Sequence, residues 1–192
     1  MKTDVIVIYS DGNGTEEALL QAEKAAQYKG LSHKSALHLR LLTEELLGLM
    51  RSITGNVKGR FWIEDEKGAF RLHLKVKTYV DFEKREQLLK TATSGKNEAA
   101  RGIMGKIRTF FDPLDGMQVP FNTTPDGTSA DFIWSMRAYE QSVQNQLAKK
   151  QAGAEEAWDE LERSVVAHLA DDVKVSIEGR DVEMVIIKKM ER

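Results

Sequence analysis

A chain of 192 residues is long enough to bury one sizeable core, and its composition is that of a folded domain rather than a fibre or a disordered tail. Charged residues make up 30% of the chain yet nearly cancel, to a formal net charge of -2. That excludes the broad basic field of a nucleic-acid-binding surface and leaves cofactors and proteins as the expected partners. There is no cysteine, which excludes a disulfide framework, a thiolate metal site and a cysteine nucleophile.

Residues 1–14, MKTDVIVIYSDGNG, lack the basic region and apolar run of a signal peptide, and no later segment is apolar for long enough to span a bilayer. The cytoplasm is therefore the expected address, with no membrane partner. Residues 4–9, DVIVIY, are short, β-branched and apolar, and predict a strand ended by the turn Asp11-Gly12-Asn13-Gly14. Residues 15–28, TEEALLQAEKAAQY, are good helix formers throughout, and Gly30 stands in the stop position. Ser32 is an N-cap candidate for a long helix ending near Ile53, closed by Gly55-Asn56.

That helix carries the most informative run, residues 39–55, LRLLTEELLGLMRSITG, an apolar pattern with two adjacent carboxylates, Glu44 and Glu45. Leu37, Leu41, Glu44 and Gly48 fall at spacings of four, three and four and share one helical face, while Glu45 points elsewhere beside Leu42 and Leu49. An ionised carboxylate on an apolar face needs a donor, a cation or a proton, since desolvating it alone is costly. The alternative is a helix margin at which Glu44 reaches water.

Residues 60–64 and 69–77 flank Asp65-Glu66-Lys67-Gly68 and read as a hairpin. In its second strand Phe70, Leu72, Leu74 and Val76 alternate with Arg71, His73, Lys75 and Lys77, so one face packs and the other is wet. Residues 81–91 predict a short helix, Ser94-Gly95-Lys96-Asn97 interrupts it, and residues 98–111 resume with Ile103, Ile107 and Phe110 as a stripe. Residues 112–128 hold all three prolines, 113, 120 and 125, and read as an irregular loop. From 129 to about 170 the pattern is helical, with Phe132, Met136, Tyr139, Val143 and Leu147 on one face and a break at Ala152-Gly153. A second helix over 155–169 carries Trp158, Leu161, Val165 and Leu169. Residues 173–177 and 182–187 around Glu178-Gly179-Arg180-Asp181 form a second hairpin.

Strands that do not alternate strictly with helices disfavour a doubly wound parallel sheet. Helices gathered on one face of a mixed, mostly antiparallel sheet make a two-layer α/β sandwich. In this layout the chain resembles the GHKL superfamily, with its Bergerat-like fold, and most closely the branch of anti-sigma-factor serine kinases and histidine-kinase ATPase domains. The resemblance covers residues 1–111 and the terminal hairpin, within a single domain of residues 1–192, while 112–172 reads as an inserted loop and helical extension. In that branch the long helix reads Ser or Thr, Glu, three residues, Asn, and Thr43-Glu44-Glu45-Leu46-Leu47-Gly48 occupies the same frame. The resemblance implies that Glu44 is the general base or water-positioner, and it places Gly48 where the family's magnesium-holding Asn stands. Asp81, after Lys77-Thr78-Tyr79-Val80, falls where the family's adenine-reading Asp-x-Gly-x-Gly turn begins, but without its glycines. Ser94, Gly95, Lys96 and Asn97, followed by Gly102, Gly105 and Lys106, correspond to the phosphate-cradling glycine box, where free amides and a helix dipole favour anions.

The expected function is that of an ATP-binding regulatory protein of this type, a protein serine kinase or anti-sigma-like regulator with weak or lost hydrolysis and little dependence on magnesium. The alternative is a pseudo-ATPase acting as a protein-interaction module, with a regulatory protein as partner or a homodimer through the 129–170 helices. Glu44 is expected to open onto a cleft bounded by 94–106. Other motifs are weaker. Gly102-x-x-Gly105-Lys106 has too few residues between its glycines for a Walker A loop, and Gly12-Asn13-Gly14 is only a fragment of a dinucleotide fingerprint. The four histidines, 33, 38, 73 and 168, lie on separate elements with no metal-ligand spacing, and His73 sits among Arg71, Lys75 and Lys77 on a solvated face.

Overall fold

The computed structural model describes residues 1–54, 58–77, 132–162, 164–178 and 181–191. In chain order these form β1 (Ile6–Tyr9), α1 (Thr15–Tyr28), α2 (His33–Thr54), β2 (Lys58–Glu66), β3 (Ala69–Lys77), β4 (Phe132–Ser135), α3 (Met136–Ala148), α4 (Ala154–Glu162), α5 (Val165–Leu169), β5 (Asp172–Glu178) and β6 (Asp181–Lys189). The helices expected over 81–91 and 98–111 and the loop over 112–128 lie outside the described residues.

The β2–β3 turn is tighter than the four-residue loop the sequence suggested. Glu66 pairs with Ala69, and Lys67 and Gly68 both have positive φ, 53° and 85°. Two central residues in the left-handed region make the kind of two-residue turn whose twist matches that of its strands. Alternation then decides burial. Phe70, Leu72, Leu74 and Val76 are buried, while Arg71, His73 and Lys75 are only partly so.

Six strands form one sheet in the order β1-β2-β3-β6-β5-β4, with every pairing among the described strands antiparallel. The fold is an α/β two-layer sandwich. One sheet face is apolar across β1, β2, β3, β6 and β5, through Ile8, Phe61, Ile63, Phe70, Leu72, Leu74, Val76, Val173, Val175, Val182, Met184 and Ile186. Against it pack Ala18, Ala22, Ala25 and Ala26 of α1 and Leu39, Leu42, Leu46 and Leu47 of α2. The alanines let α1 lie close to the sheet; the leucines of α2 supply the bulk, each full burial being worth about 1.5–3 kcal/mol.

Helix ends follow local chemistry. After α1, Leu31 N–H bonds Ala26 C=O at 3.0 Å and Gly30 N–H bonds Gln27 C=O at 3.0 Å, with Gly30 at φ 62°. This pair of bonds is a Schellman closure, in which glycine avoids the Cβ penalty of the left-handed conformation. Ser32 then caps α2 as expected, its Oγ accepting from Ser35 N–H at 3.2 Å.

Residues 129–170 depart from expectation in one respect. Phe132–Ser135 is a strand, not the first turn of a helix, and pairs with β5 from Phe132↔Ile177 to Ser135↔Lys174. A stripe at helical spacing ran through Phe132, but Phe, Ile and Trp in succession are also strand formers, and the free edge of β5 selects that alternative. The chain turns into α3 at Ser135, whose Oγ donates to buried Asp172 Oδ1 at 3.0 Å; the same oxygen accepts from Arg137 N–H at 3.2 Å and Val173 N–H at 2.9 Å. One carboxylate thus fastens α3 to β5. Met136 and Val143 are buried, Tyr139 and Leu147 pack beside them, and Leu161 and Val166 join the same core. The helix expected over 155–169 is two, α4 and α5, with Ser164 Oγ accepting from Ala167 N–H at 3.3 Å at the start of α5. The region expected as an added element contributes a strand and side chains to the common core.

Candidate functional site

Helix α2 has more leucines than one face can bury, and the structure decides which of them face the sheet. Leu39, Leu42, Thr43, Leu46 and Leu47 do, with the Thr43 hydroxyl donating to Leu39 C=O at 2.8 Å. Leu37, Leu41, Glu44 and Gly48 share a face, as the spacing required, but that face is the outer one. Leu37 is 48% exposed, and Glu44 and Gly48 are exposed. Glu44 is accordingly not an acid within a buried stripe: it stands on the solvent side of α2, the margin position in which it reaches water. Glu45 is partly buried. A Cβ built at Gly48 meets nothing within 4 Å.

Of the other residues singled out in the sequence, Asp81, Ser94, Gly95, Lys96, Asn97, Gly102, Gly105 and Lys106 lie outside the described residues, so the cleft expected between Glu44 and 94–106 is not on view. Among the described residues no group of three His, Asp or Glu side chains is placed to hold a metal ion. Gly48 offers a direct check on the α2 face. A mid-helix glycine with open space around it costs helix stability, so Gly48→Ala is expected to stabilise the protein by about 0.5–1 kcal/mol. Chemical denaturation measures this; a loss of stability would mean that the position is occupied in the folded chain.

A second cluster was not assembled from the sequence. On the outer face of the sheet, Trp62 of β2 lies directly opposite His73 of β3, their rings stacked with centroids 4.7 Å apart and planes 8° from parallel. His73 Nδ1 is 2.9 Å from Glu183 Oε1 of β6, and its Nε2 is 3.7 Å from Glu64 Oε2 of β2. The other Glu64 oxygen accepts from Trp62 Nε1 at 2.9 Å and from Lys2 Nζ at 3.0 Å. Those hydrogen bonds from Lys2 and Trp62 hold the Glu64 carboxyl below the usual carboxylate range, against a smaller opposing effect of burial. The sequence places His73 among cations on a solvated face, whereas in the structure its side chain is only 13% exposed. Narrowing the turn to Lys67-Gly68 would have placed Trp62 against His73, since the register follows from the turn. Nothing local signals Glu183, which is 110 residues away.

At the end of the same hairpin, Asp65 is paired with Lys29 at 2.5 Å, its side chain only 6% exposed, and it accepts from Gly68 N–H at 2.9 Å. Burial by itself would raise the Asp65 carboxyl; the bonds from Lys29 and Gly68 and the nearby positive charges outweigh it and hold the group low. Lys29, Asp65 and Gly68, with Leu31, Phe70 and Met190, line a shallow surface cavity, which includes none of the residues that the sequence singled out.

Comparison with protein-family models, with curated proteins and with solved structures returned no match. No described helix is long and apolar enough to cross a membrane.

Proposed function

We propose that this chain is an ATP-binding regulatory protein of the GHKL type in which hydrolysis is weak or lost, acting as a protein serine kinase or anti-sigma-like regulator. The observation that carries the reading is the placement of α2: a helix seated on the sheet by its leucines, with Glu44 and, one turn on, Gly48 on an accessible face. The order of elements supports it, since a strand and two helices precede an antiparallel hairpin, and a second hairpin ends the chain. Glu44 would position water or accept a proton, and the Gly48 position, lacking an amide, would leave magnesium poorly held.

A second reading has its own support. Leu20 and Leu37 are both about half exposed, at 49% and 48%, on the helices opposite the sheet, and apolar side chains left in water favour a protein-interaction module that binds no nucleotide. The regulatory protein partner proposed on either reading would meet this side. A homodimer through the 129–170 helices would have to use their outer faces, where Val165 is 45% exposed, because Met136 and Val143 are spent on the chain's own core.

Thermal melting with ATP or ADP, with and without magnesium, separates the two. At about 100 times the dissociation constant a ligand adds roughly 2.7 kcal/mol, and in a chain of this size each kcal/mol moves the midpoint by roughly 2–4 °C. The expected result is a shift of several degrees at millimolar but not micromolar nucleotide, little changed by chelator and reduced in Glu44→Ala. A shift at micromolar ATP that vanishes with chelator would restore an active, magnesium-dependent ATPase. No shift at millimolar nucleotide would leave the interaction module.

A further inference from the structure

Among the described residues, two buried side-chain atoms have no hydrogen-bond partner, His73 Nε2 on β3 and Asp181 Oδ1 on β6. A carboxylate oxygen only accepts, so the contact of 2.9 Å between His73 Nδ1 and Glu183 Oε1 requires the hydrogen to be on Nδ1. In a neutral ring Nε2 is then a bare acceptor. It is buried and has no hydrogen-bond partner among the described residues, and the nearest anion, Glu64 Oε2, stands 3.7 Å away. A buried lone pair beside a carboxylate, here one whose side chain is 31% exposed, is unfavourable; one proton on Nε2 turns the repulsion into attraction, and closing the 3.7 Å gap makes a charge-assisted hydrogen bond.

We propose that His73 is a proton-operated clasp: with both ring nitrogens protonated it bridges Glu183 of β6 and Glu64 of β2 across β3, and with one it releases Glu64. Closing the clasp requires Nε2 and Glu64 Oε2 to move from 3.7 Å to hydrogen-bond distance. Trp62 stacks on the ring and offers a π-face to the cationic form. Glu64 is kept ionised by Lys2 and Trp62, so it remains an anion through the range in which histidine changes charge, between about pH 5 and pH 8. The surrounding cations have carboxylate partners, one of them Glu64 itself. Lys2 is on Glu64, Arg71 of β3 is 2.7 Å from Glu66 of β2, and Lys75 of β3 is 3.8 Å from Asp181 of β6. Lys174 of β5 faces Val185 of β6, the residue opposite His73. Lys2 thus shares Glu64 with the ring, and Lys75 stands opposite Glu183 in the β3–β6 register, so the proton on Nε2 adds to a field that these two lysines already set. It lies on the sheet face away from α2 and does not depend on the proposed nucleotide site.

The test is a pH titration of the full chain, reading tryptophan emission and the ring nitrogen shifts of His73 in 15N-labelled protein. A protonated imidazole quenches an indole stacked on it, so wild-type emission is expected to fall on acidification between about pH 8 and pH 5. The difference between wild type and His73→Gln isolates Trp62. That fall is expected to be absent in His73→Gln and displaced toward acid in Glu64→Gln, which lacks the receiving anion. In wild type both ring nitrogens should gain the protonated signature together with the quench. A wild-type emission profile that matches His73→Gln overturns the clasp, as does a transition that Glu64→Gln leaves in place. Should either variant fail to fold, the wild-type nitrogen shifts decide: an Nε2 that stays unprotonated down to about pH 5 overturns it.

Discussion

Gly14→Ala is expected to destabilise the protein by roughly 2–5 kcal/mol, the sum of a strained backbone and an overlap that has nowhere to relax. Gly14 adopts φ 83° at the start of α1, and a Cβ placed there would run into the Val7 carbonyl oxygen while standing 3.2 Å from Ile8 Cδ1. The obstacle is backbone, which cannot rotate aside. The turn is also tied back on β1, with Tyr9 N–H bonding Asn13 C=O at 2.9 Å and Gly12 N–H bonding Tyr9 C=O at 3.0 Å. These bonds hold the turn against the end of β1, whose Val7 and Tyr9 side chains are exposed on the face opposite buried Ile8. Gly30 and Gly153 provide the control. Both have positive φ, 62° and 82°, but open space around them, so alanine there should cost only the conformational penalty of about 1–2 kcal/mol. Urea denaturation of the three variants compares them; a Gly14 variant no worse than the other two would show that the close approach contributes nothing.

Lys29→Met is expected to cost roughly 2–4 kcal/mol near neutral pH, because it leaves the Asp65 carboxylate buried with one hydrogen bond and without its cation. Part of the wild-type advantage is acid-labile. Asp65 has a folded-state pKa held below its ordinary value, so its contribution is present above about pH 4 and is lost as the pH falls through the folded value. The gap between wild type and Lys29→Met should therefore be widest at pH 6–7 and narrow as the pH falls below about 4, through the lowered folded-state value. Stability curves at a series of pH values measure this. A gap that stays constant into acid would mean that Lys29 acts through its aliphatic stem rather than its charge.

The clearest sequence signals were those whose partners lie within a few residues. Thr15–Tyr28 was bounded to the residue because good helix formers fill it, Gly14 opens it and Gly30 closes it. Ser32 reads as a cap because its hydroxyl reaches an amide three residues on. The alternating burial of Ala69–Lys77 and the terminal hairpin followed from a period of two between turn residues. The candidate site was less legible. Spacing put Leu37, Leu41, Glu44 and Gly48 on one face of α2 correctly, but a helix that is apolar nearly all round does not say which face is covered.

Sequence alone thus determined the two-layer α/β class, the α1–α2 pair, both hairpins and the alternation of faces along β3, all of them consequences of local hydrogen bonds and side-chain period, though not the burial of His73 on the polar face. Tertiary structure decided what depends on distant partners. The edge of β5 made Phe132–Ser135 a strand, and Asp172 fixed where α3 begins. Packing on the sheet spent Leu39, Leu42, Leu46 and Leu47 and left Glu44 in water. Register across three strands set Glu64 and Glu183 on either side of His73, a juxtaposition of residues up to 110 apart that no local pattern encodes. The physical reason is the same in each case: a turn or cap is selected by energies within one stretch of chain, whereas a strand edge, a helix face or an ion cluster is selected by whatever surface the rest of the chain brings to it.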